Sequence, residues 1–124
     1  MKESIIRTSS RQFALDIVLL CRRLKENKAE ATLVNQLLRC GTSIGANIAE
    51  AQYAQSTKDF ISKLEIALKE CAESAYWLEL LRDSGCLTAE DTAPYIRTSN
   101  NLRRMLVRAV TTLKEKVPDS YEHL

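Results

Sequence analysis

A chain of 124 residues with 45% hydrophobic and 27% charged side chains has the size and composition of one globular domain, residues 1–124, that buries a core without staples. Its longest fully apolar run, Ile17 to Cys21, is far below the roughly 20 residues of a membrane span. The N-terminus carries no extended apolar segment of the secretory type, so a cytoplasmic protein with no membrane partner is expected. The net charge of +2 conceals opposite balances along the chain, and three glycines with two prolines leave few turns, which favours helices.

Ser9 or Ser10 can cap a first helix over about residues 9–26, in which Phe13, Ile17, Leu20 and Leu24 recur at helical spacing. A second helix is expected from about Glu30 to Tyr53. Its seam of Val34, Leu37, Gly41, Ile44, Ile48 and Ala51 runs through glycine without losing phase, so Gly41 and Gly45 read as points of close helix approach rather than turns.

Ser56 followed by Asp59 resembles a capping box with aspartate in place of glutamate. It opens a third helix whose Phe60, Leu64, Ala67, Cys71, Ser74, Leu78 and Leu81 keep the buried spacing. The helix should stop at Asp83-Ser-Gly-Cys, where Gly85 can adopt the left-handed conformation.

Thr88 and Asp91 repeat the capping arrangement before a fourth helix with Leu102, Leu106, Ala109, Leu113 and Val117 on its inner face and Pro118 at its end. Pro94 removes a backbone donor near the start, so this helix either kinks there or begins near Tyr95. Four helices joined by short connections predict an all-α protein, an antiparallel up-down-up-down four-helix bundle.

Cys21, Cys40, Cys71 and Cys86 are widely separated, with no C-x-x-C pair, and the only histidine is His123. Zinc needs clustered ligands, so no metal site and no cofactor are expected. Cys40 and Cys71 lie on or beside apolar stripes as small hydrophobes, while Cys86, after Gly85 in a turn, is the more exposed thiol.

The segment Leu38-Arg-Cys-Gly-Thr-Ser-Ile-Gly-Ala-Asn-Ile-Ala-Glu-Ala51, with Asp59-Phe-Ile-Ser-Lys-Leu-Glu-Ile-Ala67 and Trp77-Leu-Glu-Leu-Leu81, resembles the 23S rRNA intervening-sequence protein family of small bacterial four-helix-bundle proteins. Arg39, Ser43, Ile44, Ala46, Asn47, Ile48, Ala49, Glu50, Phe60, Leu64, Ile66 and Ala67 match its pattern, and Ala51 departs from it where glycine is usual. The resemblance implies a non-catalytic protein. Through a related branch, the accessory proteins of diversity-generating retroelements, it also implies a homo-oligomer, a pentameric ring, that binds nucleic acid and a reverse transcriptase.

Residues 1–40 carry a net +4, residues 41–96 a net −5, and residues from Arg97 onward a net +3. Helices one and four, neighbours in such a bundle, would share a basic face suited to phosphates. It lacks interleaved aromatics beyond Phe13 and Tyr95, so binding should be directed to the nucleic-acid backbone. Alternatively, the basic helices pair with acidic helices two and three, within or between subunits. Arg97, Arg104 and Arg108, at spacings of seven and four, fall on one side of their helix and are candidate nucleic-acid contacts, together with Arg22 or Arg23.

Asn47 and Glu50 sit one turn apart on a second stripe with Cys40, Ser43 and Ala54. A carboxylate there could serve as a base. No histidine and no recognisable motif accompanies it, so a structural role at a close helix or subunit contact, with Arg39 or Arg82 as a partner for Glu50, is the stronger reading. Trp77 and Tyr76 either anchor an interface or close the core. No catalytic residue and no small-molecule substrate are assigned. The expected function is a non-enzymatic oligomeric adaptor; the alternative is a structural interaction module without a nucleic-acid partner.

Overall fold

The computed structural model describes residues 2–117. Four helices follow one another: α1 (Lys2–Glu26), α2 (Ala31–Ala51), α3 (Thr57–Asp83) and α4 (Ala89–Glu115). Each packs on the next, and α4 returns to meet α1 along a looser seam, closing an antiparallel bundle. Phe13, Ile17, Leu37, Ile44, Ile61, Leu78, Leu102 and Leu106 fill its interior and are almost wholly buried.

Helix α1 begins well before the expected serine cap. Ile6 is buried and extends the seam one turn below Ser10, which is itself buried and donates its hydroxyl to the Arg7 carbonyl at 3.1 Å. A small hydroxyl residue in mid-seam looks like a cap in sequence, but here the seam needs a small side chain. Gly45 of α2 lies opposite, where an added β-carbon would meet the Ser10 carbonyl oxygen at 3.3 Å. At Gly41 the same addition would meet Ile17 Cγ2 at 2.9 Å. Both glycines are thus points of close helix approach, and the helix they admit is α1.

The helix ends follow local chemistry closely. The Asp59 amide donates to Ser56 Oγ at 3.0 Å, and Asp59 Oδ2 accepts from the Gln55 amide at 3.2 Å. This is the capping box displaced by one residue. Thr88 Oγ1 likewise accepts from the Asp91 amide at 3.0 Å. At the end of α3, Cys86 N bonds the Leu81 carbonyl at 2.9 Å and Gly85 N bonds the Arg82 carbonyl at 3.1 Å, with Gly85 at φ 88°. That pairing defines a Schellman motif. The end of α1 repeats it with Lys28 at φ 62°: Ala29 N reaches the Leu24 carbonyl at 3.0 Å, and Lys28 N the Lys25 carbonyl at 3.0 Å.

Helix α2 ends at Ala51, two residues before the expected Tyr53, as the backbone tightens into turns bonded to Ala49, Glu50 and Ala51. Helix α4 starts at Ala89 and runs through Pro94, so it does not wait for Tyr95. The Pro94 carbonyl accepts from Thr98 Oγ1 at 3.0 Å. Farther along, Val110 is buried while Ala109, Leu113 and Val117 pack at the edge of the core. The loose α1–α4 seam opens there into an apolar groove of about 560 Å³, lined by Ile5, Ile6, Phe60, Met105 and Leu113 with Arg108 and Lys116 at its rim. Pro118 and His123 lie outside the described residues.

Small polar groups inside the bundle are satisfied. Cys71 Sγ donates to the Ser99 carbonyl at 3.1 Å while Ser99 Oγ donates to the Cys71 carbonyl at 3.3 Å, a reciprocal tie between α3 and α4. Ser74 Oγ donates to the Glu70 carbonyl at 2.9 Å and lies 3.4 Å from Cys40 Sγ. No described buried side-chain nitrogen or oxygen lacks a partner.

Candidate nucleic-acid interface

The charged side chains divide sharply by helix. Arg39 of α2 bridges Glu70, at 3.3 Å, and Glu73 of α3. Lys63 of α3 reaches back to Glu50 of α2 at 3.1 Å, Arg82 pairs with Asp83 at 2.9 Å, and Lys114 near the end of α4 pairs with Glu65 at 2.8 Å. Among the described residues, none of these pairs engages an arginine of α1, or of α4 upstream of Lys114. The acidic middle of the chain is therefore answered mainly by cations of α2 and α3 and by Lys114, not by the basic helices at large.

Glu50 finds Lys63 rather than Arg39 or Arg82 as its partner. Asn47 Nδ2 donates to the Ser43 carbonyl at 2.9 Å, within its own helix. The second stripe of α2 thus meets α3 of the same chain at Cys40, beside Ser74, and at Glu50, beside Lys63. Trp77 is half-buried against the core, and its Nε1 donates to Glu73 Oε2 at 3.0 Å. Tyr76 is exposed and meets the Trp77 ring edge-on at 5.0 Å. Among the described residues no cluster of histidine, cysteine and carboxylate side chains could hold a metal ion.

Arg97, Arg104 and Arg108 are all exposed and share the stripe of α4 opposite Leu102, Leu106 and Val110. Arg104 also donates to Asn101 Oδ1. Arg103, not singled out from sequence, joins Arg104 and Arg108 around a shallow surface depression with Thr111. Arg23 turns toward α4 and donates to the Tyr95 hydroxyl at 2.9 Å, binding the start of α4 to the end of α1.

Arg22 turns the other way. It stands about three helical turns beyond Arg11 and two beyond Leu15, on the outward side of α1 and inclined to its α2 flank. There Arg7 and Arg11 flank a shallow trough of about 510 Å³ between α1 and α2. Helix α1 therefore does not present one basic face shared with α4; its cations fall on two sides. The spacing of Arg7, Arg11 and Arg22, four and then eleven, carried that signal in the sequence.

Among the described residues no helix is long and apolar enough to cross a membrane. Residues 2–108 match the model of the 23S rRNA-intervening sequence protein family. A crystal structure at 1.70 Å of a protein of unknown function from the S23 ribosomal protein family of Bacteroides thetaiotaomicron superposes with a TM-score of 0.86, at 43% sequence identity over 90% of this chain and 99% of that one. Among curated proteins none matches significantly. The family match extends from the first turn of α1 through the arginine stripe of α4, and the chain belongs to the 23S rRNA-intervening sequence protein family.

Proposed function

We propose that this protein is a non-catalytic adaptor that holds the phosphate backbone of nucleic acid on its basic helices α1 and α4. The observation that carries the reading is the distribution of ion pairs. Arg22, Arg97, Arg103 and Arg108 form no ion pair with any described carboxylate, whereas Arg39, Lys63, Arg82 and Lys114 each do. Unpaired guanidinium groups, clustered on α4 and separately on α1, gain affinity for a polyanion by releasing its condensed counterions, without reading bases. Among the described residues the exposed tyrosines, Tyr53 and Tyr76, lie in the turn after α2 and on α3 rather than on these helices, so base stacking adds little.

The test is binding of short labelled RNA and DNA as salt is raised. Affinity should fall steeply between about 50 and about 200 mM, and replacing Arg97, Arg104 and Arg108 by alanine should reduce the slope of log affinity against log salt by roughly one per arginine. No binding by the intact chain, or affinity indifferent to salt, would sink the proposal.

A second reading is favoured by Leu15 and Leu19, 44% and 46% exposed on the outward ridge of α1. Large apolar side chains at helical spacing on an open face suit a protein contact: another copy of the chain, in the pentamer that the family resemblance implies, or the expected reverse transcriptase. Sedimentation of the intact chain against Leu15→Glu tests this. Loss of a multimer on substitution supports self-assembly through α1.

A further inference from the structure

We propose that the trough between α1 and α2 is a second track for the phosphate backbone, separate from the arginine stripe of α4; this rests on the nucleic-acid reading above and adds a site to it. Arg7 and Arg11 are exposed on one wall, one turn and about 6 Å apart along the helix axis, so each can engage a different phosphate. Neither forms an ion pair with a described carboxylate. Helix α2, which supplies the other wall, contains a single acidic residue, Glu50, and Lys63 holds that carboxylate on the α3 side at 3.1 Å.

The shape of the trough selects a slender anion over a protein surface. No apolar side chain larger than alanine lines it, so a protein laid there would bury little hydrophobic area. Gly45 and Ala46 keep the floor low, as a strand approaching both arginines requires. The Thr42 hydroxyl donates to the Leu38 carbonyl at 2.7 Å and is committed to its own helix, which leaves the Thr8 hydroxyl as the uncharged donor on the α1 wall. Arg22 continues the same side of α1 about three turns farther on, extending the track beyond the trough.

The test follows anisotropy of a short fluorescein-labelled RNA and of a DNA duplex with the intact chain between about 50 and about 200 mM salt. Arg7→Ala with Arg11→Ala should weaken binding about tenfold at the lower salt and reduce the salt slope by roughly two. Arg104→Ala with Arg108→Ala should do the same independently. Ala46→Glu, at an exposed position, puts a carboxylate on the trough floor without touching an arginine and should weaken binding comparably; it decides the matter if the double variant fails to fold. Ser62→Glu, exposed on the outer side of α3, makes the same change in net charge and should leave affinity within about twofold.

If the intact chain binds neither probe, the nucleic-acid reading fails and the trough proposal with it. If binding weakens on loss of Arg104 and Arg108 but is unmoved by the Arg7, Arg11 and Ala46 changes, the α4 stripe stands and the trough is overturned. A shift in sedimenting mass for the Arg7 and Arg11 variant at unchanged affinity would assign the trough to contact between copies and overturn it equally.

Discussion

A β-carbon on Gly41 would lie 2.9 Å from Cγ2 of Ile17, closer than real β-carbons come to a neighbour. Ile17 is fully buried and β-branched, so it has no free rotamer into which to retreat. Gly41→Ala would gain up to about 1 kcal/mol of helix propensity but would overpack the seam at a cost of about 1–3 kcal/mol. A net loss of about 1 kcal/mol in urea unfolding is expected. Gly45→Ala, whose added carbon meets the Ser10 carbonyl at 3.3 Å, should cost less. A more stable Gly41→Ala protein would contradict the close-approach account.

The seam shows how much of the fold could be read in advance. Helical phase carried through Gly41 marked an approach rather than a break, and the capping roles of Ser56 and Thr88 followed from the residues three places on. The start of α1 was misread because a serine at a helix end and a serine at a tight crossing look alike without the partner helix; only Gly45 opposite distinguishes them. In the candidate interface the stripe of Arg97, Arg104 and Arg108 was legible from spacing alone. That Arg22 and Arg23 point to different sides was legible too, being about 100° apart on a helix; that Arg23 meets Tyr95 was not, because it depends on how α4 is seated beside α1.

Lys28 adopts φ 62°, a left-handed conformation that costs a residue bearing a β-carbon about 1 kcal/mol. Lys28 is exposed and its side chain has no hydrogen bond or ion pair to a described residue. Lys28→Gly should therefore raise stability by about 0.5–1 kcal/mol, read as a higher thermal midpoint. An unchanged or lower midpoint would mean that the lysine side chain contributes something that the Schellman geometry does not reveal.

The thiols should behave as two classes. Burial pushes the Cys21 thiol up from 9.0 to about 11, with Lys25 partly offsetting it, and burial likewise raises Cys40 and Cys71. Below pH 9 these thiols are protonated in both folded and unfolded chains and the full stability is present. Above it the unfolded chain releases protons that the folded chain keeps, so stability falls as pH rises, the Cys21 contribution being lost by about pH 11. Urea midpoints on either side of this window check the sign, and Cys21→Ala should flatten the decline. At neutral pH a maleimide should label the partly exposed Cys86 first and reach the other three only on unfolding.

Arg39 joins two acidic residues, Glu70 and Glu73, and Glu73 in turn orients Trp77. With Arg39 about half exposed, solvent screens both pairs and each contributes little. Arg39→Ala should lower the urea midpoint only slightly. It should also change the emission of Trp77, the chain's sole tryptophan, because the carboxylate on its indole loses its cation. Arg39→Lys, lacking the planar fork, should restore less than half of either effect. Stability lost without any change in Trp77 emission would separate Glu73 from the Arg39 network.

With no ion pair to a described residue, helix α1 is held chiefly by fit: the glycine crossings, the buried isoleucines and leucines, and the Arg23–Tyr95 bond. Added salt screens charges but leaves such contacts intact. Ionic strength therefore acts on the outward cations of α1 without loosening the seating of that helix, and a polyanion held there as proposed should be eluted while α1 stays docked.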